Sequence, residues 1–273
     1  MEGIYHKEWS TALGREMEFK VYGSAGVPVL AFPCGGGRFY DWEDHGMPEA
    51  AGWLIEHGRV QLFCADSIDH ESLLADGIPP RRRAEMQEKY FCYVTNELAP
   101  RILALNHAAN AAQTARADAQ AAAKAPAKAG AAPKPVLWAA GADLGAYHAV
   151  NCRLRRPGLF AGAIGLSGRY DAAGRLGGAG DDLALRNDPL ASLAAGLPGA
   201  GDLAALRAGQ FVLCAGQGQD AAEPAALAST RALEAALQAA GIPAAAEAWG
   251  QDVTHDWYWW ARAFDVFTNR LFS

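Results

Sequence analysis

The chain reads as an α/β protein: a mostly parallel, twisted sheet with an N-terminal antiparallel hairpin and helices on both faces. Strand-like and helix-like segments take turns over most of its 273 residues, the pattern of strands joined by crossover helices. A short apolar run, Val136-Leu137-Trp138-Ala139-Ala140, passes through a glycine-flanked turn into a helix that begins Ala146-Tyr147-His148-Ala149-Val150. Hydrophobic residues make up 51% and charged residues 20% of the chain, the balance of an ordinary globular domain. A single domain spanning 1–273 is therefore expected.

Each element has its own local warrant. Tyr5 to Gly23 reads as the hairpin, with Met17-Glu18-Phe19-Lys20-Val21-Tyr22 alternating as a half-buried strand does. Val29 to Phe32 and Gln61 to Ala65 are strand-like, and Glu49 to His57 reads as a helix between them. After Pro79-Pro80, apolar residues at Met86, Tyr90, Val94, Leu98 and Ile102 mark one face of a long helix over Arg82 to Leu105. Ala161 to Leu166, Phe211 to Cys214 and Ala244 to Trp249 supply the later strands, with a helix over Pro224 to Ala240 between the last two. Ala108 to Pro135 breaks the rhythm. It is almost entirely Ala, Lys, Gln, Asn, Gly and Pro, too poor in apolar surface to order itself strongly, and reads as an exposed insertion whose first half could extend the preceding helix.

The composition also narrows the partners. A formal net charge of −6 argues against nucleic acid and anionic membranes. No apolar run reaches the length of a membrane span, and the first residues lack a signal-peptide core. Five widely spaced cysteines without a C-x-x-C pair suggest neither a disulfide framework nor a zinc site, so a cytoplasmic protein with reduced thiols and no cofactor or metal is expected. A small-molecule partner is the natural expectation, and assembly into a homo-oligomer is compatible with the composition.

Gly141-Ala142-Asp143-Leu144-Gly145 has the G-x-S-x-G form of the nucleophile elbow of α/β-hydrolases, with aspartate where serine is expected. The flanking glycines permit a tight turn that pushes the Asp143 side chain outward. In a sheet of this kind the ligand site belongs at the C-terminal ends of the strands. There, Pro33-Cys34-Gly35-Gly36-Gly37 could turn backbone N–H groups of Gly35 and Gly36 towards a ligand, with the Leu144 N–H as the second part of an oxyanion hole. His255 lies in the polar loop after the last strand, where the base of a triad falls in chain order, whereas His148 on the elbow helix reads as packed. The loop after Cys214 offers Asp220 first and Glu223 second as the acid that orients that histidine. Cys34 lies beside the oxyanion turn, where a buried cysteine acting as a small hydrophobe outweighs a nucleophile.

These residues resemble the esterase family of α/β-hydrolases, the group that includes esterase D and the mycolyltransferases, and especially a bacterial branch of esterases. The resemblance rests on Tyr5-His6-Lys7-Glu8-Trp9-Ser10, Phe32-Pro33, Gly36 to Asp44, Asp66-Ser67-Ile68-Asp69, Gly145 to Ala149, Leu166 to Asp171, and His255-Asp256-Trp257 with Trp259-Trp260. It covers nearly the whole chain apart from the Ala-rich insertion. It implies hydrolysis of small acyl esters by a triad with His255 as base and a serine at the elbow, and Asp143 departs from it.

An elbow carboxylate suits different chemistry. It can displace a leaving group from a saturated carbon and leave an ester for His-activated water, as in haloalkane dehalogenases and epoxide hydrolases of the same fold. Against a carboxylic ester it would form a mixed anhydride, and its charge would occupy the field meant for the developing oxyanion. An inactive descendant, with Asp143 paired to His255 and holding the oxyanion amides, is the alternative. So is a deliberate exchange of serine for aspartate.

Overall fold

The computed structural model describes residues 1–121, 137–178 and 180–273. Eight strands form one sheet: β1 (Ile4–Ser10), β2 (Arg15–Tyr22), β3 (Val27–Phe32), β4 (Val60–Ala65), β5 (Leu137–Ala142), β6 (Phe160–Leu166), β7 (Gln210–Ala215) and β8 (Ala244–Ala248). Their order is β1-β2-β4-β3-β5-β6-β7-β8. β1 pairs with β2, and β2 with β4, in antiparallel register; every later pair is parallel. The expected hairpin and parallel sheet are thus both present. The order also reverses around β3, so β5 lies at the centre of the sheet and its C-terminal end opens into the crevice where such sheets bind ligands.

Alternation along the central strands splits the core into two layers. Val29 and Ala31 of β3, Leu62 of β4, Ile164 of β6 and Val212 of β7 face one side, where Trp42, Leu54, Trp260, Phe264 and Phe267 cover them. Leu30, Phe32, Phe63, Leu137 and Ala139 face the other side, under Tyr90, Val94, Leu98 and Ile102. Leu233 and Leu237, from the helix Glu223–Ala239, close the far end over Phe211 and Leu213. Strands covered on both faces need near-continuous apolar runs, and β3, β4 and β5 have them.

Some boundaries differ from expectation. The Arg82–Leu105 helix is longer and irregular: Pro80–Tyr93 is α-helical, Val94–Leu98 forms a π turn, and Ala99–Ala121 continues as α-helix. The helical half of the Ala-rich stretch follows from its high helix propensity; residues 122–135 of the expected insertion, and Val136 at the expected strand start, lie outside the described residues. The single helix expected over Glu49 to His57 is two short ones, Met47–Ala50 and Gly52–Glu56, separated at Ala51. Between β6 and β7 lie four short helices that the sequence reading does not separate: Ala173–Leu176, Asp182–Arg186, Pro189–Ala194 and Ala200–Arg207. No helix among the described residues is long and apolar enough to cross a membrane.

Candidate active site

The elbow is built by steric necessity. A side chain at Gly141 would place its Cβ 2.1 Å from the Gly145 backbone, and one at Gly145 would lie 2.4 Å from the Pro33 carbonyl oxygen. Only glycine lets β5, the elbow helix Leu144–Arg155 and the end of β3 approach so closely. Asp143 between them is held at φ 52° and ψ −120°, a strained conformation for a residue with a side chain. The Asp143 N–H is tied to the Leu166 carbonyl at 2.9 Å, so the end of β6 supports the turn.

That strain aims the carboxylate into the oxyanion turn. The Gly35 N–H donates to Asp143 Oδ2 at 3.1 Å, and Cys34 Sγ donates to the same oxygen at 3.3 Å. One of the three expected oxyanion donors, Gly35, therefore already holds Asp143, and the Leu144 N–H favours its charged form. Gly36 is not with them. Its φ of +74° turns its N–H away to Asp69 Oδ2, 3.1 Å off. The turn itself is pinned by Cys34 N–H to Asp41 Oδ2 at 2.9 Å and by Ser67 Oγ to the Gly37 carbonyl at 2.8 Å.

Asp143 Oδ1 faces His255 Nε2 at 3.4 Å. On the other side of the ring, Nδ1 lies 2.8 Å from Glu223 Oε2. Glu223 is fully buried at 0% exposure, at the first turn of the helix Glu223–Ala239, and its second oxygen accepts from Ser167 Oγ at 2.8 Å and from the Gly216 N–H. Asp220, the first-ranked acid in the sequence, is placed elsewhere. Its carboxylate accepts from the backbone N–H groups of Ala222, Glu223 and His255 at 2.8, 2.8 and 2.9 Å, and so shapes the two loops rather than touching the imidazole. Asp220 thus ranks as a loop clamp, and the correction has a plain cause: three residues further along, Glu223 enters the helix and points inward, while Asp220 remains in the turn.

The electrostatics follow from these contacts. Burial disfavours the charged imidazole, yet Asp143 and Glu223 together outweigh it and raise His255 to about 9. Burial also works against the Asp143 carboxylate, but His255, the Leu144 N–H and Cys34 bring it below its usual value. Cys34 is pushed well above the ordinary thiol range by burial and then by Asp143. It serves here as a hydrogen-bond donor, without the thiolate that nucleophilic attack requires.

Behind the oxyanion turn lies a second, wholly buried pair that sequence reasoning left as simple packing. His148 Nε2 is 2.8 Å from Asp69 Oδ1, with the two side chains 2% and 1% exposed, and Gln87 approaches His148 Nδ1 at 3.4 Å. Through Asp69 this pair joins the elbow helix to Gly36. The aromatic run after His255 divides its work. Trp260 packs edge-on against His255 with centroids 4.9 Å apart, Trp257 stacks on His45, and Tyr258 is exposed.

A cleft of about 220 Å³ opens beside Asp143, floored by Leu73, Leu74, Leu144 and Ala172 and edged by Arg169, Asp171 and Arg175. A larger depression of about 440 Å³ over Gln217, Pro224, Arg231 and Gln251 holds neither Asp143 nor His255. Chemistry at the elbow thus has the smaller cleft for its ligand.

Comparison with known proteins agrees with this architecture. No family model matches the chain, and no curated protein does. Solved structures match over nearly the full length. They include the mycobacterial MPT51 (FbpC1) of Mycobacterium tuberculosis (TM-score 0.67, 14% identity, 99% of this chain and 98% of that one). An S-formylglutathione hydrolase from Agrobacterium tumefaciens matches with TM-score 0.65 and 15% identity over 98% of this chain and 94% of its own. A ferulic acid esterase matches with TM-score 0.64 and 14% identity over 99% of both chains. The chain has the α/β-hydrolase fold.

Proposed function

We propose that the protein is a small-molecule hydrolase in which Asp143 is the covalent nucleophile and His255, oriented by Glu223, activates water. The observation that carries this is the division of labour within one carboxylate: Oδ2 rests on the Gly35 N–H, while Oδ1 looks out towards His255. In the first step Oδ1 forms a bond to a saturated carbon and the leaving group departs with the electron pair. The product is an alkyl ester of Asp143 whose carbonyl oxygen, Oδ2, already sits on the Gly35 N–H. Loss of the Asp143 charge removes one of the two anions that keep His255 protonated, so the imidazole releases its proton and becomes a base. Water then adds to the Asp143 carbonyl carbon, giving its proton to Nε2. The tetrahedral oxyanion forms at Oδ2, where that N–H is waiting. Collapse expels the alkoxide carrying the former Oδ1, which takes the proton from His255; the water oxygen remains in the carboxyl group, whose own proton then passes to Nε2 and restores the Asp143–His255 pair.

For carboxylic esters the same arrangement is unfavourable. The Gly35 N–H a substrate carbonyl would need is taken by Oδ2, and attack by Oδ1 leads to an anhydride. That filled donor also supports a second reading, a hydrolase-fold binding protein in which the Asp143–His255 pair closes the catalytic position.

Trapping separates the two. The His255→Ala variant, incubated with 1-bromobutane or styrene oxide, should accumulate an ester on the Asp143 peptide, detected by mass spectrometry, and the unaltered protein should turn the same compound over. Absence of both adduct and turnover, with 4-nitrophenyl acetate hydrolysis appearing in Asp143→Ser, would establish the binding-protein reading instead.

A further inference from the structure

We propose that the cleft beside Asp143 takes a short aliphatic ligand bearing a carboxylate, held by Arg169 and Arg175. The proposal rests on the reading above only in taking this cleft as the ligand site. The cleft has two chemically distinct parts. Its floor of Leu73, Leu74, Leu144 and Ala172 suits a hydrocarbon chain, and its edge carries two guanidiniums within the single loop and short helix that follow β6. Two acids, Asp143 and Asp171, share this lining with the two arginines, so the cleft is far less negative than a chain of net charge −6 would give on average.

Neither arginine is consumed by the fold. Arg169 is 51% exposed, and among the described residues its guanidinium bonds Asp171 alone, itself 53% exposed, at 3.3 Å, a contact worth little in water. Arg175 is exposed and has no carboxylate partner among the described residues. By contrast Arg38, Arg81 and Arg155 are each paired with acids that position loops or helices. The Asp143 charge does not cancel the pair, because His255 stands against it at 3.4 Å. A planar guanidinium binds a carboxylate through two parallel N–H bonds, so recognition here is directional as well as electrostatic. Size completes the argument. About 220 Å³ lies below the roughly 300 Å³ at which pockets for drug-sized ligands begin, so the chain between reacting carbon and carboxylate must be short.

The test compares pentanoate with pentanamide, equal in shape and different in charge, by calorimetric titration of the full chain. Pentanoate should bind at least about tenfold more tightly, as charge-assisted hydrogen bonds require. The double variant Arg169→Gln/Arg175→Gln should abolish the difference, while Arg262→Gln on the C-terminal helix should retain it. Equal affinity, absence of pentanoate binding, or a preference that survives the double variant would overturn the proposal. Alkylation of Asp143 in His255→Ala by 4-bromobutanoate and by 1-bromobutane distinguishes this from the functional reading. Carboxylate preference in binding without alkylation by either leaves the subsite standing and removes the nucleophile; alkylation by both at equal rates does the reverse.

Discussion

Glu223 Oε2 lies 2.8 Å from His255 Nδ1, and Glu223 Oε1 is held by Ser167. A fully buried carboxylate with both oxygens engaged fixes the ring and leaves Nε2 as the side that faces Asp143. Turnover should therefore fall by about 10²-fold or more in Glu223→Gln, the scale of a lost acid–base partner. Asp220→Asn keeps the imidazole contact and should cost far less. Steady-state rates of the two variants, side by side, check the assignment.

The His255 titration should be visible directly. Its ring should protonate with a midpoint of about 9. Asp143→Asn removes one of the two raising charges and should lower that midpoint by about one unit or more. Because the folded value is raised above the usual 6.5, the stabilisation is fully present below about pH 6.5 and lost as pH rises through about 9. Asp143 acts oppositely: its depressed value contributes above pH 3.8 and is lost as pH falls below that. Histidine-selective NMR and urea unfolding as a function of pH measure the two effects separately.

Asp143→Ser should release the Gly35 N–H to a substrate carbonyl and remove the charge beside the Leu144 N–H. A single oxyanion donor is worth about 10²–10³ in rate, so hydrolysis of 4-nitrophenyl acetate should rise by at least that order above the unaltered protein. No gain would mean that the turn holding Gly35 is set for the aspartate alone.

The Asp69–His148 pair should matter first for stability. His148→Ala removes the imidazole from a carboxyl group that is 1% exposed and leaves it with the Gly36 N–H as its main partner. Breaking a buried pair from one side costs about 3 kcal/mol or more. Urea denaturation should show that loss, together with weaker binding in the Asp143 cleft as Gly36 and its turn loosen.

Much of this was legible along the chain because it is local. The elbow, with its strand before and helix after, is a contiguous pattern, and so are the glycines of the oxyanion turn and the loop carrying His255. Other parts were not legible for reasons the structure makes plain. Asp220 and Glu223 are both acids in one loop, and only the entry of Glu223 into a helix decides which carboxylate reaches the ring. Gly35 and Gly36 are chemically identical, and a positive φ at Gly36 alone sends its N–H to Asp69. Arg169 and Arg175 carry no local signal, since nothing near them in sequence says that they border Asp143.

The sequence by itself determined the α/β class, the hairpin, the parallel strands and the strained turn at Asp143, because periodicity and glycine sterics act over a few residues. The tertiary structure decided which acid serves His255, which amide holds Asp143, and which arginines edge the cleft. The first two depend on distances of about 3 Å between groups that lie 32 and 108 residues apart, and only the packed sheet sets such distances.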